Sequence, residues 1–230
     1  MRRAIFWDFD GTLTTGEPTW RFCLVRALGP LAERYGVTEE ALRPFLRTGF
    51  PWHPDGDSSL TGERFWQALY SRFSAALIGC GVPGPAAGTA ARRVREIVQD
   101  KTLYHVRPDA AATLAVCAYQ GWKNYILTNN FPEWESLFGR LGLRQFFSGI
   151  VVSGVVGASK PEEKIFRIAE RVANFPSLIW MVGDNPQADI AGGLAAGWHT
   201  AHLSRPGAPR SGAEVTVSSL TELLRYLPRT

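Results

Sequence analysis

The feature that most constrains the fold is the long interval between the first two strand-like segments of the sequence. Residues 4–7 are continuously apolar and run into Asp8, a pattern typical of a central strand buried on both faces. The next comparable segment, residues 125–127, lies more than a hundred residues downstream. A crossover between parallel strands needs only about a dozen residues. We therefore predict an insertion between the first strand and the rest of the sheet.

The two parts of the chain differ in their predicted secondary structure. The intervening segment is mainly helical, with helices predicted over residues 19–35, 39–46, 63–78 and 86–98. From residue 107 onward, helices alternate with short apolar strands, and one of these helices is predicted over residues 189–196. This alternation indicates a parallel sheet covered by helices on both faces. The predicted fold is α/β, with a doubly wound core formed by residues 1–14 and 107–230. Residues 15–106 are predicted to form an inserted α-helical domain.

Composition and charge narrow the classes of function. With 45% hydrophobic and 20% charged residues among 230, the chain is typical of a globular protein. Lys and Arg number 25 against 21 Asp and Glu, and no basic run accompanies this surplus, so we expect no nucleic-acid partner. No apolar run approaches the ~20 residues that a bilayer span needs, so we expect no membrane partner. The sequence leaves open whether the protein is a monomer or a homodimer.

The three cysteines indicate the compartment. Cys23, Cys80 and Cys117 are odd in number, far apart in the sequence and without CxxC spacing. This pattern favours neither a disulfide framework nor a zinc site. We therefore expect reduced thiols and a cytoplasmic protein.

Polar residues follow four of the predicted strands. They are Asp8 and Asp10 after the first strand, Thr128 and Asn129 after the second, Lys160 after residues 150–152, and Asp184 and Asp189 after residues 178–182. The carboxyl ends of strands in a doubly wound sheet share one edge, where ligands bind. We therefore expect these side chains to meet at a single site.

The charge of this predicted site indicates a metal ion and a phosphorylated substrate. Four carboxylates against the one ammonium of Lys160 leave three surplus negative charges if every group is ionised. Such a cluster requires protonation or a cation. Oxygen ligands without clustered His or Cys favour Mg²⁺, which also takes phosphate oxygens as ligands. We therefore predict Mg²⁺ as the cofactor and a small phosphorylated metabolite as the substrate.

The remaining groups suit phosphoryl transfer. The hydroxyl of Thr128, backbone N–H groups near it and the ammonium of Lys160 can hold phosphoryl oxygens. A carboxylate at the end of a strand can act as nucleophile and form an aspartyl phosphate. The second carboxylate can then serve as general acid and afterwards as general base.

Four ordered motifs resemble those of the haloacid dehalogenase-like hydrolase superfamily. They are Asp8-Phe9-Asp10-Gly11-Thr12-Leu13, Leu127-Thr128-Asn129, Lys160-Pro161 and Gly183-Asp184-Asn185-Pro186-Gln187-Ala188-Asp189. The resemblance implies a Rossmann-like core and a helical cap of the C1 type over the site.

The resemblance also implies a role for each motif residue. Asp8 is expected to be the nucleophile and a Mg²⁺ ligand, and Asp10 the general acid and base whose main-chain carbonyl also binds the metal. The expected phosphate-binding residues are Thr128, Asn129 and Lys160. Asp184 is expected to anchor Mg²⁺, and Asp189 to support the metal shell or orient Lys160.

Within this superfamily the resemblance favours a phosphatase that acts on a small phosphate monoester. Dehalogenases of the superfamily have no acid at the position of Asp10, because a halide leaving group needs no proton. A phosphomutase would retain Asp10, so it remains an alternative. A non-catalytic binding or scaffold protein that keeps the fold is the third hypothesis.

The segment of residues 47–57 is the predicted specificity loop of the cap. It combines aromatic, polar and conformationally restricted residues, and Arg47, Trp52 and His53 are its candidates for substrate contact. The same composition also fits a rigid connector in which Phe50 and Trp52 serve as packing anchors, and this interpretation is favoured because aromatic residues are mostly buried.

Overall fold

The computed structural model describes residues 2–204, 209 and 211–228. The elements before residue 107 are β1 (Arg3–Trp7), β2 (Thr14–Gly16), α1 (Trp20–Leu28), α2 (Pro30–Arg34), α3 (Glu39–Leu42), α4 (Gly62–Gly79), α5 (Gly84–Ile97) and β3 (His105–Val106). The elements after it are α6 (Ala110–Tyr119), β4 (Lys123–Thr128), α7 (Trp134–Arg140), β5 (Phe147–Val152), α8 (Ser153–Val156), α9 (Glu163–Val172), β6 (Leu178–Gly183), a π-helix (Pro186–Ala191), α10 (Gly192–Ala195), β7 (His199–Leu203), β8 (Val215–Val217) and α11 (Leu220–Leu223).

The central sheet has six parallel strands in the order β5-β4-β1-β6-β7-β8. The chain builds outward from β1 on one side and then crosses to the other side, which is the doubly wound order. The predicted fold class is therefore confirmed. Ligands bind such sheets where the strand order reverses, and here that position is the carboxyl end of β1.

Strand β1 is buried at all five of its positions and packs on both faces, as predicted. On one face, the ring of Phe6 stacks against Tyr125 at 5.0 Å and against Trp198 at 4.8 Å between centroids. On the other face, Trp7 donates a hydrogen bond from its indole Nε1 to the Oδ1 atom of buried Asn124 at 3.0 Å. Alternate side chains of β1 thus belong to two different core clusters, because successive residues of a strand point to opposite faces.

The segment between β2 and β3 is helical. Its longest helix, α4, has 18 residues and buries Phe65, Leu69, Phe73 and Leu77 at intervals of four, which places them on one face of the helix. This face packs in the larger core cluster with residues of α1 and α5. No helix in the described ranges is both long and apolar enough to cross a membrane.

Three predicted helices differ from the observed ones. The prediction of a single helix over residues 19–35 is wrong, because Gly29 takes a φ of +58° and Pro30 begins a new helix without a backbone N–H. The helix predicted over residues 39–46 ends at Leu42 and continues as a 3₁₀ turn that contains Pro44. The helix predicted over residues 189–196 begins earlier, as the π-helix, and becomes α-helical only in α10.

A two-stranded antiparallel ribbon joins the helical segment to the sheet. It pairs Thr14 of β2 with Val106 of β3, and the Arg107 amide donates to the Leu13 carbonyl at 2.9 Å. The sequence analysis did not predict this ribbon. The chain therefore leaves the core and returns to it at neighbouring points.

The three cysteines are free thiols. Burial raises the pKa of both Cys23 and Cys117 to about 12. Both are therefore protonated at neutral pH, and a protonated thiol is a weak nucleophile.

We expect Asn124→Leu to lower the free energy of unfolding by about 2–4 kcal/mol, because the indole of Trp7 and main-chain carbonyls lose their buried partner. Asn124 also donates from Nδ2 to the carbonyls of Leu114 (3.0 Å) and Phe146 (3.3 Å). Urea unfolding followed by circular dichroism would measure the loss. The control is Lys123→Ala at the neighbouring exposed position, and equal stability of the two variants would contradict the expectation.

Candidate active site

The side chains predicted to meet do converge at the carboxyl edge of the sheet. Lys160 is buried, and its Nζ donates to Oδ1 of Asp8 at 2.7 Å and to Oδ1 of Asp189 at 2.6 Å. Asp8 follows β1, and Asp189 lies in the π-helix that follows β6. One ammonium therefore joins carboxylates that come from two neighbouring strands.

Two glycines allow the carboxylates of Asp184 and Asp189 to lie close to the backbone. A Cβ atom on Gly11 would overlap the carboxylate of Asp184, and Gly11 also has a φ of +77°. A Cβ atom on Gly183 would overlap the carboxylate of Asp189. Both positions require glycine for close approach, and Gly11 requires it for its conformation as well.

The π-helix holds Asp189 in place from its first turn. The Oδ1 atom of Asn185 accepts hydrogen bonds from the amides of Gln187 (3.0 Å) and Ala188 (2.9 Å) and so caps this helix. The Asn185 amide in turn donates to Oδ2 of Asp189 at 3.0 Å. Both oxygens of this fully buried carboxylate are therefore bonded, one to the backbone and one to Lys160.

Three carboxylates form a cluster whose chemistry fits a divalent cation. Asp8, Asp184 and Asp189 each offer an oxygen, and these oxygens lie within 4.8 Å of one another. Thr12 donates to Oδ1 of Asp184 at 3.2 Å, which fixes the orientation of that carboxylate. An all-oxygen donor set of this charge suits Mg²⁺.

The ligand set predicted from the sequence was Asp8, Asp10 and Asp184. The carboxylate of Asp189 belongs to the cluster, whereas the side chain of Asp10 does not. The contribution expected of Asp10 was its main-chain carbonyl, and that stays a prediction.

Burial and the nearby charge of Asp8 raise the pKa values of Asp184 and Asp189. Burial, followed by the charge of Asp8, raises the pKa of Asp184 to about 6. Burial also raises the pKa of Asp189, although the ammonium of Lys160 opposes this rise. Burial alone would lower the pKa of Lys160, but Asp189 and Asp8 together raise it to about 12. Lys160 is therefore charged at neutral pH and neutralises only part of the cluster.

Asp10 has a different environment from Asp8. Burial and the charge of Asp8 raise the pKa of Asp10 well above its ordinary range. Its Oδ2 accepts a hydrogen bond of 2.8 Å from Nδ2 of Asn130, while its Oδ1 is buried without a partner among the described residues. Asp10 is thus suited to be a protonated acid with one oxygen free to act on a ligand.

Asn130 is a site residue that the sequence analysis missed. Its own position is fixed because its amide donates to Oγ of Ser153 at 2.9 Å and because Ser153 donates to its carbonyl at 3.2 Å. The available signal was its place two residues after Thr128, in the same loop at the strand end.

Thr128 and Asn129, which were both predicted to bind phosphate, have different surroundings. Thr128 is the buried last residue of β4, the strand next to β1. Asn129 uses its side chain to hold the backbone of Lys160, because Nδ2 donates to the Lys160 carbonyl (2.9 Å) and Oδ1 accepts from the Lys160 amide (2.8 Å). Asn129 therefore positions Lys160, and a contact of Asn129 with phosphate stays a prediction.

The predicted specificity loop reaches the site through two of its three candidate residues. Trp52 lines a cavity of about 180 Å³ that also borders Asp10. Together with His53 it also lines a second cavity of about 450 Å³ that borders Lys160. Arg47 instead lines a separate cavity with Arg21.

Trp52 also packs inside the loop. Its ring stacks at 5.2 Å on Phe50, which is buried. Phe50 and Trp52 therefore pack as anchors of the loop, and Trp52 also lines the site. Both interpretations of Trp52 describe its contacts.

We expect Mg²⁺ to stabilise the protein more at about pH 7.5 than at about pH 5, because the metal and protons compete for the carboxylates. Without a metal, the raised pKa of Asp184 contributes stability below the ordinary aspartate pKa of about 3.9, and this contribution is lost as the pH rises through about 6. Thermal unfolding with Mg²⁺ and with EDTA at both pH values measures the difference.

In the same experiment, Asp184→Asn should remove most of the stabilisation by Mg²⁺. The matched variant Asp100→Asn changes an aspartate outside the cluster and should retain it. In the unchanged protein, an equal rise of the unfolding temperature by Mg²⁺ at both pH values would contradict the competition between metal and protons.

Comparisons with known proteins agree with this geometry. The family model described as haloacid dehalogenase-like hydrolase matches residues 2–197. A phosphoserine phosphatase of Thermus thermophilus is 30% identical, over 96% of this chain and 97% of that protein. A glyceraldehyde 3-phosphate phosphatase of Methanopyrus kandleri is 36% identical over 43% of each chain.

Among solved structures, the magnesium-bound HAD-hydrolase YfnB of Bacillus subtilis shares the fold. It superposes with a TM-score of 0.70 and 21% identity, and the match covers 98% of both chains. The sheet order and the family match, which spans nearly the whole chain, lead to one assignment. The chain belongs to the haloacid dehalogenase-like hydrolases.

Proposed function

We propose that this hydrolase is a Mg²⁺-dependent phosphatase that hydrolyses a small phosphate monoester through an aspartyl-phosphate intermediate. The observation that carries the proposal is the pairing of Asp8, which is bound to Lys160, with a neighbouring Asp10 whose pKa is raised. The two relatives named as phosphatases support a phosphate monoester as the substrate class.

In the first step, a carboxylate oxygen of Asp8 attacks the phosphorus atom and the bond from phosphorus to the ester oxygen breaks. Thr128 and the ammonium of Lys160 hold the phosphoryl oxygens and balance their charge. Asp10 donates its proton to the departing oxygen, so the leaving group departs as an alcohol.

In the second step, Asp10 is a carboxylate and removes a proton from a water molecule. The resulting hydroxide attacks the phosphorus atom of the aspartyl phosphate, and the bond from phosphorus to Asp8 breaks. The products are inorganic phosphate, the regenerated carboxylate of Asp8 and a protonated Asp10. The raised pKa of Asp10 favours its return to the protonated form.

Asp8 and Asp184 would hold Mg²⁺, with Asp189 completing the carboxylate cluster. The ion would supply positive charge next to the transferring phosphoryl group. The role of Asp189 toward Lys160 does not depend on the ion, because their contact of 2.6 Å is direct.

The helical insert is proposed to act as a cap over the site. Phe131, in the loop after β4, packs against Trp20 and Trp66 of the insert, with ring centroids 6.5 and 5.8 Å away. Trp66 donates from Nε1 to Glu133 of the core at 2.8 Å, and Arg95 forms an ion pair with the same glutamate. These contacts hold the insert against the core, where it limits the access of water to the reacting groups.

We expect Asp8→Asn to lower the rate of phosphate release from an aryl phosphate by at least about a thousandfold, because the variant lacks the nucleophilic carboxylate. EDTA should abolish release by the unchanged protein. Asp100→Asn is the matched control and should retain the rate, since Asp100 caps a turn of the insert. Release of inorganic phosphate measured with purified protein tests all three.

Full turnover by Asp8→Asn would overturn the proposed mechanism. Phosphoryl transfer that requires an added sugar phosphate as acceptor would instead support the phosphomutase alternative. Binding of Mg²⁺ without turnover of any ester in a broad panel would support the non-catalytic binding or scaffold protein.

We expect Ca²⁺ to bind but to support only a small fraction of the rate seen with Mg²⁺. Its bonds to oxygen, at about 2.3–2.6 Å, are longer than the roughly 2.0–2.1 Å of Mg²⁺, and its coordination is more variable. This alters the alignment of the attacking and leaving oxygens. The comparison of phosphate release at saturating concentrations of each ion is the measurement, and equal rates would disprove this requirement.

A further inference from the structure

A small cavity borders Asp10. It has a volume of about 180 Å³ and is lined by Asp10, Glu17, Trp20, Trp52, Tyr104 and Asn130, among others. This is smaller than the roughly 300–1,000 Å³ of typical pockets for drug-sized ligands. In the proposed function, Asp10 gives its proton to the ester oxygen, so the leaving group of the substrate would occupy this space.

The described wall of the cavity is acidic. Glu17 contributes a carboxyl group, and no Lys, Arg or His is among the described residues that line this cavity. Thr14 donates to Oε2 of Glu17 at 2.8 Å, and within the described ranges Glu17 forms no ion pair. Glu17 also borders a larger, separate cavity that Arg107 lines, and there Arg107 contacts the Gly11 carbonyl at 3.5 Å. Asp10 and Glu17 are the acidic residues of the described lining of the small cavity.

Aromatic rings form much of the remaining surface. Trp20 and Trp52 lie with their ring centroids 6.2 Å apart and their planes inclined by 29°. Tyr104 closes another side, and its hydroxyl is already engaged because it donates to the Val98 carbonyl at 2.8 Å. The faces of such rings attract cations and offer little to anions.

A carboxyl group next to aromatic rings, with no cationic residue in the described lining, is an arrangement that favours a positively charged group. We propose that the preferred substrate is the phosphate ester of a small amino alcohol, with its ammonium group held by Glu17 and the rings of Trp20 and Trp52. This inference rests on the proposed function for the placement of the phosphate. A leaving group with a carboxylate would meet Glu17 and find no basic partner among the described residues that line the cavity.

Three esters of similar size and different charge test the inference. They are 2-aminoethyl phosphate, propyl phosphate and carboxymethyl phosphate. We expect kcat/KM for 2-aminoethyl phosphate to exceed that for propyl phosphate by about tenfold or more, and carboxymethyl phosphate to be the poorest substrate. A ratio of one or less between 2-aminoethyl and propyl phosphate would overturn the proposal.

The residue assignment is tested by the same ratio in variants. In Glu17→Gln the ratio should fall toward one, whereas the control Glu96→Gln, at an exposed position of α5, should keep it. Because both substrates are measured in one protein, a general loss of folding or of phosphate chemistry lowers both rates and leaves the ratio unchanged. A ratio that stays the same in Glu17→Gln would overturn the role of Glu17.

A binding measurement separates this inference from the proposed function. Asp8→Asn with Mg²⁺ is titrated with 2-aminoethyl phosphate and with propyl phosphate, and heat exchange gives both dissociation constants. Tighter binding of the amine supports the inference, and equal or weaker binding overturns it, whether or not the unchanged protein has turnover. Failure of the unchanged protein to hydrolyse any ester would instead count against the proposed function.

Discussion

The buried ammonium of Lys160 is the interaction on which the arrangement of the site depends. It lies between Asp8 and Asp189, which reach it from the ends of two adjacent strands. Removing one partner of such a buried group typically costs about 3–5 kcal/mol, because the remaining charge is left without compensation. The side chain of Asn129 holds the backbone of Lys160 from the neighbouring strand. Lys160 comes from the segment that follows β5, and it thus joins residues that follow three other strands, β1, β4 and β6.

Two carboxyl groups separated by a single residue have different surroundings. Asp8 lies 2.7 Å from the ammonium of Lys160. Asp10 is buried close to Asp8, which raises its pKa, and it is bonded to the amide of Asn130. The proposed roles of nucleophile and acid therefore fall on the same residue type, and the difference in surroundings comes from contacts that lie far away in the sequence.

The sheet and the convergence of the motifs could be predicted because both follow from local patterns. An apolar run that ends in a polar residue marks a buried strand and its carboxyl end, and parallel strands place those ends together. Other features depend on partners distant in the sequence. The roles of Asn130 and Asn129 are set by contacts with Asp10 and Lys160, and the contrast between Arg47 and Trp52 depends on how the helices of the insert pack.

The ribbon of β2 and β3 changes the entropy of assembling the core. Strands β1 and β4 are paired although more than a hundred residues separate them. Once β2 and β3 have paired, the unconstrained chain between β1 and β4 shortens more than fourfold, which lowers the cost of closing that loop by about 1 kcal/mol. An insert that folds as a local unit therefore adds little to the effective contact order of the sheet. Most of the closure cost is thereby transferred to the pairing of β2 with β3, where the packing of the helices between them offsets it.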